Sequence, residues 1–242
     1  TNRIYRIDAK TNKVTLFAEN TARTNGLMFG PDGRLYGCRN GDKTIVAYST
    51  DGKVHTVAEG VTSNDLVVAS DGGVYFTDPP NGQVWYVNPG GKKRVVAKGL
   101  RPNGIILWPG EGTLVVTDGD KPLLWTFRVE ADGGLTHKER YYTPLRLASG
   151  RKRPGSDGMT VDDVGRLYVA THAGIQMCDT TGRPSGVILK PQGRFLSNVT
   201  FGGPGFHYLY ATCSDKVYRR KVQPTGRPYF LRNRLAGKRS PR

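Results

Sequence analysis

The chain has 242 residues, 37% hydrophobic and 23% charged, the balance of an ordinary core-forming domain. No stretch approaches the eighteen or so apolar residues of a membrane-spanning helix, and three cysteines are too few, and odd in number, for a disulfide scaffold. The net charge of +16 points towards nucleic acid at first sight, yet ten Lys or Arg and no acid fall in residues 216–242. The rest carries 26 basic against 20 acidic groups, an unremarkable +6.

Residues 1–20 hold two short alternating runs, Arg3-Ile-Tyr-Arg-Ile-Asp8 and Lys13-Val-Thr-Leu-Phe-Ala18, read as a pair of strands. Next comes Asn25-Gly-Leu-Met-Phe-Gly-Pro-Asp-Gly-Arg-Leu-Tyr36, an apolar run, a turn and a second run. Two more runs, 44–48 and 54–58, are separated by Asp51-Gly52, a hairpin signal. The unit then recurs. Its copies begin at Asn64 (Asn-Asp-Leu-Val-Val), Asn103 (Asn-Gly-Ile-Ile-Leu), Asp157 (Asp-Gly-Met-Thr-Val) and, more loosely, Asn198. The intervals are 39, 39, 54 and 41 residues, about the forty of a four-stranded propeller blade.

This predicts an all-β, six-bladed β-propeller occupying 1–226. Residues 1–22 match only the outer half of blade 1; blades 2–6 fall at 23–60, 61–100, 101–145, 155–191 and 192–226, followed by a basic tail at 227–242. The inner half of the first blade lies outside the sequence, so an N-terminal truncation is expected, with residues 228–234 as the remaining candidate for a closing strand. The long interval marks an insertion at 142–156, including Arg151-Lys-Arg-Pro154, on the face where inner strands begin.

In such a ring Asn25, Asn64, Asn103, Asp157 and Asn198 head the inner strands and converge on one mouth of the channel. The turns at Arg39, Asp78, Asp118, His172 and Asp215 rim it. Side-chain carbonyls around a carboxylate suit a hard divalent cation. Asn-Gly and Asp-Gly also form turns, but these residues precede strands whose hairpin turns lie elsewhere.

Arg101-Pro-Asn-Gly-Ile, Asp157-Gly-Met-Thr-Val, Asn64-Asp-Leu-Val-Val with Tyr75-Phe-Thr-Asp-Pro-Pro80, and Ser197-Asn-Val-Thr-Phe-Gly-Gly203 resemble the gluconolactonase family, which includes senescence marker protein and luciferin-regenerating enzyme. The likeness runs over residues 1–222 with the motif order kept. It implies a six-bladed propeller with one divalent cation (calcium first; magnesium, manganese or zinc as alternatives) and hydrolysis of sugar lactones. It implies Asn64, Asn103 and Asp157 as metal ligands, Asn64 also on the substrate, and Asp157 as the acceptor of the water proton while the cation polarises the lactone carbonyl. The family's first-blade Glu has no counterpart here, which leaves Asp118 or Asp215 to complete the site if no further strand does.

His172, on the rim, is the candidate to orient sugar hydroxyls. Trp85, Trp108 and Trp125 read as core between blades. Cys38, Cys178 and Cys213 have no activating neighbour by spacing. There is no phosphate loop and no Gly-x-Ser-x-Gly elbow. The competing class is a non-catalytic binding propeller; the basic tail is the only nucleic-acid feature. The expected partner is a small-molecule lactone, with no membrane span. Oligomeric state and location (cytoplasmic, periplasmic or secreted) have no signal in the sequence.

Overall fold

The computed structural model describes residues 2–141 and 144–226. Strands β1 (Arg3–Ile7) and β2 (Val14–Glu19) form a two-stranded antiparallel ribbon. The first full blade is β3 (Thr24–Phe29), β4 (Leu35–Arg39), β5 (Thr44–Tyr48) and β6 (Val54–Glu59). The second is β7 (Leu66–Val68), β8 (Val74–Asp78), β9 (Gln83–Val87) and β10 (Lys93–Lys98). The third is β11 (Pro102–Leu107), β12 (Thr113–Asp118), β13 (Leu124–Val129) and β14 (Leu135–Arg140). The fourth is β15 (Met159–Val161), β16 (Leu167–Thr171), β17 (Gly174–Cys178) and β18 (Pro184–Ile188). The fifth has three strands among the described residues: β19 (Leu196–Gly202), β20 (Tyr208–Cys213) and β21 (Lys216–Lys221).

Each blade is an antiparallel meander in sequence order, as short alternating runs joined by tight turns dictate. The inner strands β3, β7, β11, β15 and β19 touch one another in that order. The propeller is therefore present with five blades, not six: β1 has only β2 beside it among the described residues, so the ribbon lacks the inner strands that would make it a blade. Ile4, Phe17 and Ala18 of the ribbon pack on Val46 and Tyr48 of the first blade. At its other end Arg219 Nη1 donates to the Ala9 carbonyl at 2.8 Å, tying β21 to the turn between β1 and β2. The expected closing strand at 228–234 and the basic tail at 227–242 lie outside the described residues.

The core is a set of layers between neighbouring blades rather than one central mass. Val67, Tyr75 and Val84 face Ile105, Leu114 and Val116; Tyr168 and Ala170 face Val199, Phe201 and Leu209. Leu114 is completely buried, which by apolar transfer stabilises the fold by about 2 kcal/mol. The tryptophans belong to these layers: Trp85 lies parallel to Phe76 with centroids 6.1 Å apart, and Trp108 packs on Tyr141.

Two copies of the repeat show why an Asp precedes the Arg-Leu-Tyr run, by two residues in one and four in the other. Asp162 is fully buried, accepts from Arg166 Nε at 2.6 Å and Tyr168 Oη at 3.2 Å, and takes the Arg166 N–H at 2.8 Å. Asp32, on an exposed turn, accepts from the same groups of Arg34 and Tyr36. These turns sit on the face away from the strand-heading residues and hold the hairpins shut.

Candidate functional site

The strand-heading residues sit in irregular backbone. Thr24 pairs with Arg39 and Leu27 with Gly37, so β3 carries one extra residue at Asn25-Gly26; the same offset occurs between Pro102 and Ile105, at Asn103-Gly104. Such bulges re-aim a side chain that the ladder would otherwise fix. Gly26 and Gly158 serve a second purpose. A Cβ at Gly26 would lie 2.7 Å from the Asn64 carbonyl oxygen and from Asp65, and one at Gly158 would overlap the Asn198 side chain. The glycine lets adjacent inner strands approach, and Gly26 N–H donates to the Asn64 carbonyl at 2.9 Å.

Buried threonines fasten a head to the blade before it. Thr77 Oγ1 donates to the Asn103 carbonyl at 2.6 Å, and Thr117 Oγ1 donates to the Asp157 carbonyl at 3.3 Å. Both threonines are fully buried, each just ahead of a buried aspartate. The repeated Thr-Asp pairs at 77–78 and 117–118 were the sequence signal for this role, which motif reading passed over.

The structure brings Asn25, Asn64, Asn103 and Asp157 into one hydrogen-bonded chain. The Asn25 amide donates to Asn64 Oδ1, and the Asn64 amide donates to Asn103 Oδ1. Asn103 reaches the Ser156 carbonyl at 3.4 Å and the Asp157 carboxylate, which also takes the Gly158 N–H. Asp65 joins them, a residue that sequence reading left without a role. Its carboxylate accepts the Leu66 N–H at 3.0 Å and feels the charge of Asp157.

Burial raises Asp157 from the usual carboxylate range to about 7. Burial first, and Asp157 second, raise Asp65 to about 7. Neither has a Lys or Arg among the groups acting on it. Two carboxylates with no counter-charge, wrapped by amide groups, form a hard-oxygen environment short of positive charge, and these residues fit a divalent cation. No cluster of three His, Cys, Asp or Glu exists among the described residues, so amide oxygens must contribute to any such site.

The three rim acids are committed elsewhere. Asp118 is buried and accepts from the Asp120 N–H at 3.0 Å, the Lys121 N–H at 3.1 Å and Trp125 Nε1 at 2.9 Å. Asp78 receives Trp85 Nε1 and the Asn81 amide in the same way. Asp215 pairs with Arg194 at 3.2 Å. Asp118→Ala should destabilise the protein by about 2–4 kcal/mol in urea unfolding, since three donors lose their acceptor. The stabilisation calcium gives should survive it. A lost calcium response would place Asp118 in the site instead.

His172 stands at the rim and makes no hydrogen bond to the amide chain. Its backbone N–H donates to the Pro154 carbonyl at 2.8 Å, and its ring fills the space beside Gly155, two residues before Asp157. The ring also meets Phe195 edge-on at 5.7 Å. Burial, then Arg151 and Lys190, lower its pKa and hold it neutral. Gln176 pins the inserted loop by exchanging two 2.8 Å hydrogen bonds with the backbone of Arg146. Of the insertion, Tyr142 and Thr143 lie outside the described residues. The three cysteines are buried and free, with burial raising the thiols of Cys38 and Cys178, as inert core residues.

The family model for the SMP-30/gluconolactonase/LRE-like region matches residues 40–215. A gluconolactonase of Zymomonas mobilis is 28% identical over 229 residues, covering 84% of this chain and 64% of that protein. Lactonase drp35 of Staphylococcus haemolyticus is 30% identical over 209 residues, covering 78% and 63%. The chain thus spans a little under two thirds of the length of these relatives. Among solved structures, a gluconolactonase from Xanthomonas campestris superposes with a TM-score of 0.72 at 27% identity, covering 86% of this chain and 75% of that one. A regucalcin from Agrobacterium tumefaciens, described as calcium-binding, gives 0.77 at 17% identity, covering 93% and 84%, a likeness of fold alone.

Proposed function

Since the chain belongs to the SMP-30/gluconolactonase/LRE-like family, we propose that it acts as a divalent-metal-dependent hydrolase of sugar lactones, as the gluconolactonase and lactonase names of its relatives suggest. The observation that carries this reading is the uncompensated pair Asp65 and Asp157 inside the amide chain. Asp157, Asn103 and Asn64 would hold the cation, calcium in the first instance, and Asp65 adds a second negative charge beside them. When bound, a divalent cation supplies Lewis-acid polarisation of an ester carbonyl.

The chain's own residues do the rest. The Asp157 carboxylate accepts a proton as water adds to the lactone carbonyl. It returns that proton to the ring oxygen as the C–O bond breaks, leaving an open-chain hydroxy acid. The Asn64 amide, held by Asn25, faces the substrate, and His172, kept neutral, donates or accepts at the sugar hydroxyls from the rim. We read the ring as six-bladed, with two further strands pairing along the free edge of β1 and covering Leu27 and Phe29, which stand 39% and 61% exposed on β3.

The test is hydrolysis of glucono-1,5-lactone followed by proton release. Turnover should vanish with chelator and return with calcium. A protein that binds calcium but gives no turnover with any aldonolactone is a binding propeller, and the reading fails.

A further inference from the structure

We propose that the preferred lactone carries an anionic substituent, phosphate or carboxylate, at the end of the sugar remote from its carbonyl, and that Arg151, Lys190, His172 and Phe195 receive it. This rests on the lactone-hydrolase reading above and narrows its substrate class.

The inserted loop carries four basic residues and no acid between 144 and 156. Of the cations at this part of the rim, Arg153 and Arg101 share Asp120, at 2.9 Å and 3.2 Å, and Arg194 pairs with Asp215 at 3.2 Å. Asp120 and Asp215 are then spent. Among the described residues Arg151 has no acidic partner, and Lys190 Nζ meets only the carbonyls of Gly193 at 3.4 Å and Arg194 at 3.1 Å.

Arg151 and Lys190 come from connections on either side of the fourth blade, yet both flank His172. Arg151 stands three residues before Pro154, whose carbonyl takes the His172 N–H at 2.8 Å. Lys190 Nζ lies 3.1 Å from the Arg194 carbonyl, next to the Phe195 ring that meets the imidazole. Their segments are fixed. Arg151 N–H closes a turn onto the Ala148 carbonyl at 3.0 Å, and the loop is tied to Gln176 and to the backbone of His172. Two cations on the same stretch of rim without an acidic partner among the described residues raise the local potential and favour an anion over water alone. The cations are not the whole arrangement. Phe195 is 45% exposed beside the imidazole, an apolar face for a sugar ring, with His172 as the polar group that fixes its orientation. His172 packs on Gly155, on the backbone that leads into Asp157. The cluster thus borders the proposed carbonyl position at Asp157, two residues beyond Gly155, and we place the far end of the lactone against it.

The experiment compares kcat/KM of the full chain with calcium for glucono-1,5-lactone, 6-phosphogluconolactone and a glucaric acid lactone. The anionic lactones should be favoured about tenfold or more, the worth of one good charge-assisted contact, and the preference should shrink with added salt. Whichever of the two is favoured identifies phosphate or carboxylate. In the Arg151→Ala/Lys190→Ala variant the ratio of anionic to neutral kcat/KM should fall about tenfold, through KM. Calorimetry should show 6-phosphogluconate binding more tightly than gluconate, with the difference lost in that variant. Equal rates on charged and neutral lactones, or a ratio the variant leaves unmoved, overturns the inference and leaves the lactonase reading standing. Absence of turnover on all three overturns both.

Discussion

Asp157→Asn is expected to lower kcat/KM for an aldonolactone by about a thousandfold or more and to erase the stabilisation that calcium gives, while making the chelated protein more stable than the unsubstituted one. The opposite signs follow from one fact. Asp157 is held by the Gly158 N–H and the Asn103 amide, with Asp65 as its charged neighbour and no cation against it. Without metal that charge is a cost, and an amide of the same shape removes it. With metal the charge is the strongest ligand, and a neutral carbonyl does not replace it. Asp65 also gains, because its like-charged neighbour is gone. Asn103→Ala should lose the calcium response without the stability gain, since it breaks the link from Asn64 to Asp157. Asn25→Ala should keep calcium, because Asn25 acts by donating to Asn64. Thermal unfolding of each variant with calcium and with chelator decides the matter. A calcium-dependent shift that survives Asp157→Asn sinks the assignment.

In chelator, stability should fall as pH rises from about 4 to about 7 and level off above. An ordinary Asp carboxyl has a pKa of 3.8, whereas burial pushes Asp65 and Asp157 in the folded protein up to about 7. Between those values the folded chain keeps protons that the unfolded chain has released, so raising the pH draws the equilibrium towards unfolding. One such carboxylate contributes on the order of 3 kcal/mol across the window. The surface acids work the other way and at lower pH: Asp51 is lowered to about 2 by Ser49 and Lys53, so its contribution is lost only as the pH drops below the unfolded value. His172, lowered by burial and its cationic neighbours, favours the folded state as pH rises through 6.5. That slope is shared by variants at Asp157. The decisive measurement is therefore the difference in melting temperature between the unsubstituted protein and Asp157→Asn, in chelator, from pH 4.5 to 8. The gap should open in favour of the variant. Calcium should reverse the trend, because it binds the ionised carboxylates. A gap that stays constant across this range means that Asp157 is not buried as a charge.

Much of this protein is written locally. Strand length, the Asp-Gly and Pro-Asp-Gly turns and the forty-residue recurrence depend on neighbours in the chain, so they could be read off it. Recurrence also singled out Asn25, Asn64, Asn103, Asp157 and Asn198 as the residues that head the blades, of which the first four form the hydrogen-bonded chain. The repeat register likewise showed that residues 1–20 match only the last two strands of a unit, and β1 and β2 stand as a ribbon beside five blades.

Other features waited for the tertiary structure. The sequence marks Asp118 on the rim as a candidate acid, whereas Asp65 only adjoins a marked residue, Asn64. Asp118 meets an indole and two backbone N–H groups from its own turn. Asp65 instead meets Asp157, a residue from two blades further on, and no counter-ion. Arg151 and Arg153 sit two residues apart, yet only Arg153 finds an acid, on a turn of the preceding blade. Whether a charge is paired depends on which distant groups the ring brings within a few ångströms of it. Sequence order carries no measure of that distance, and folding alone supplies it.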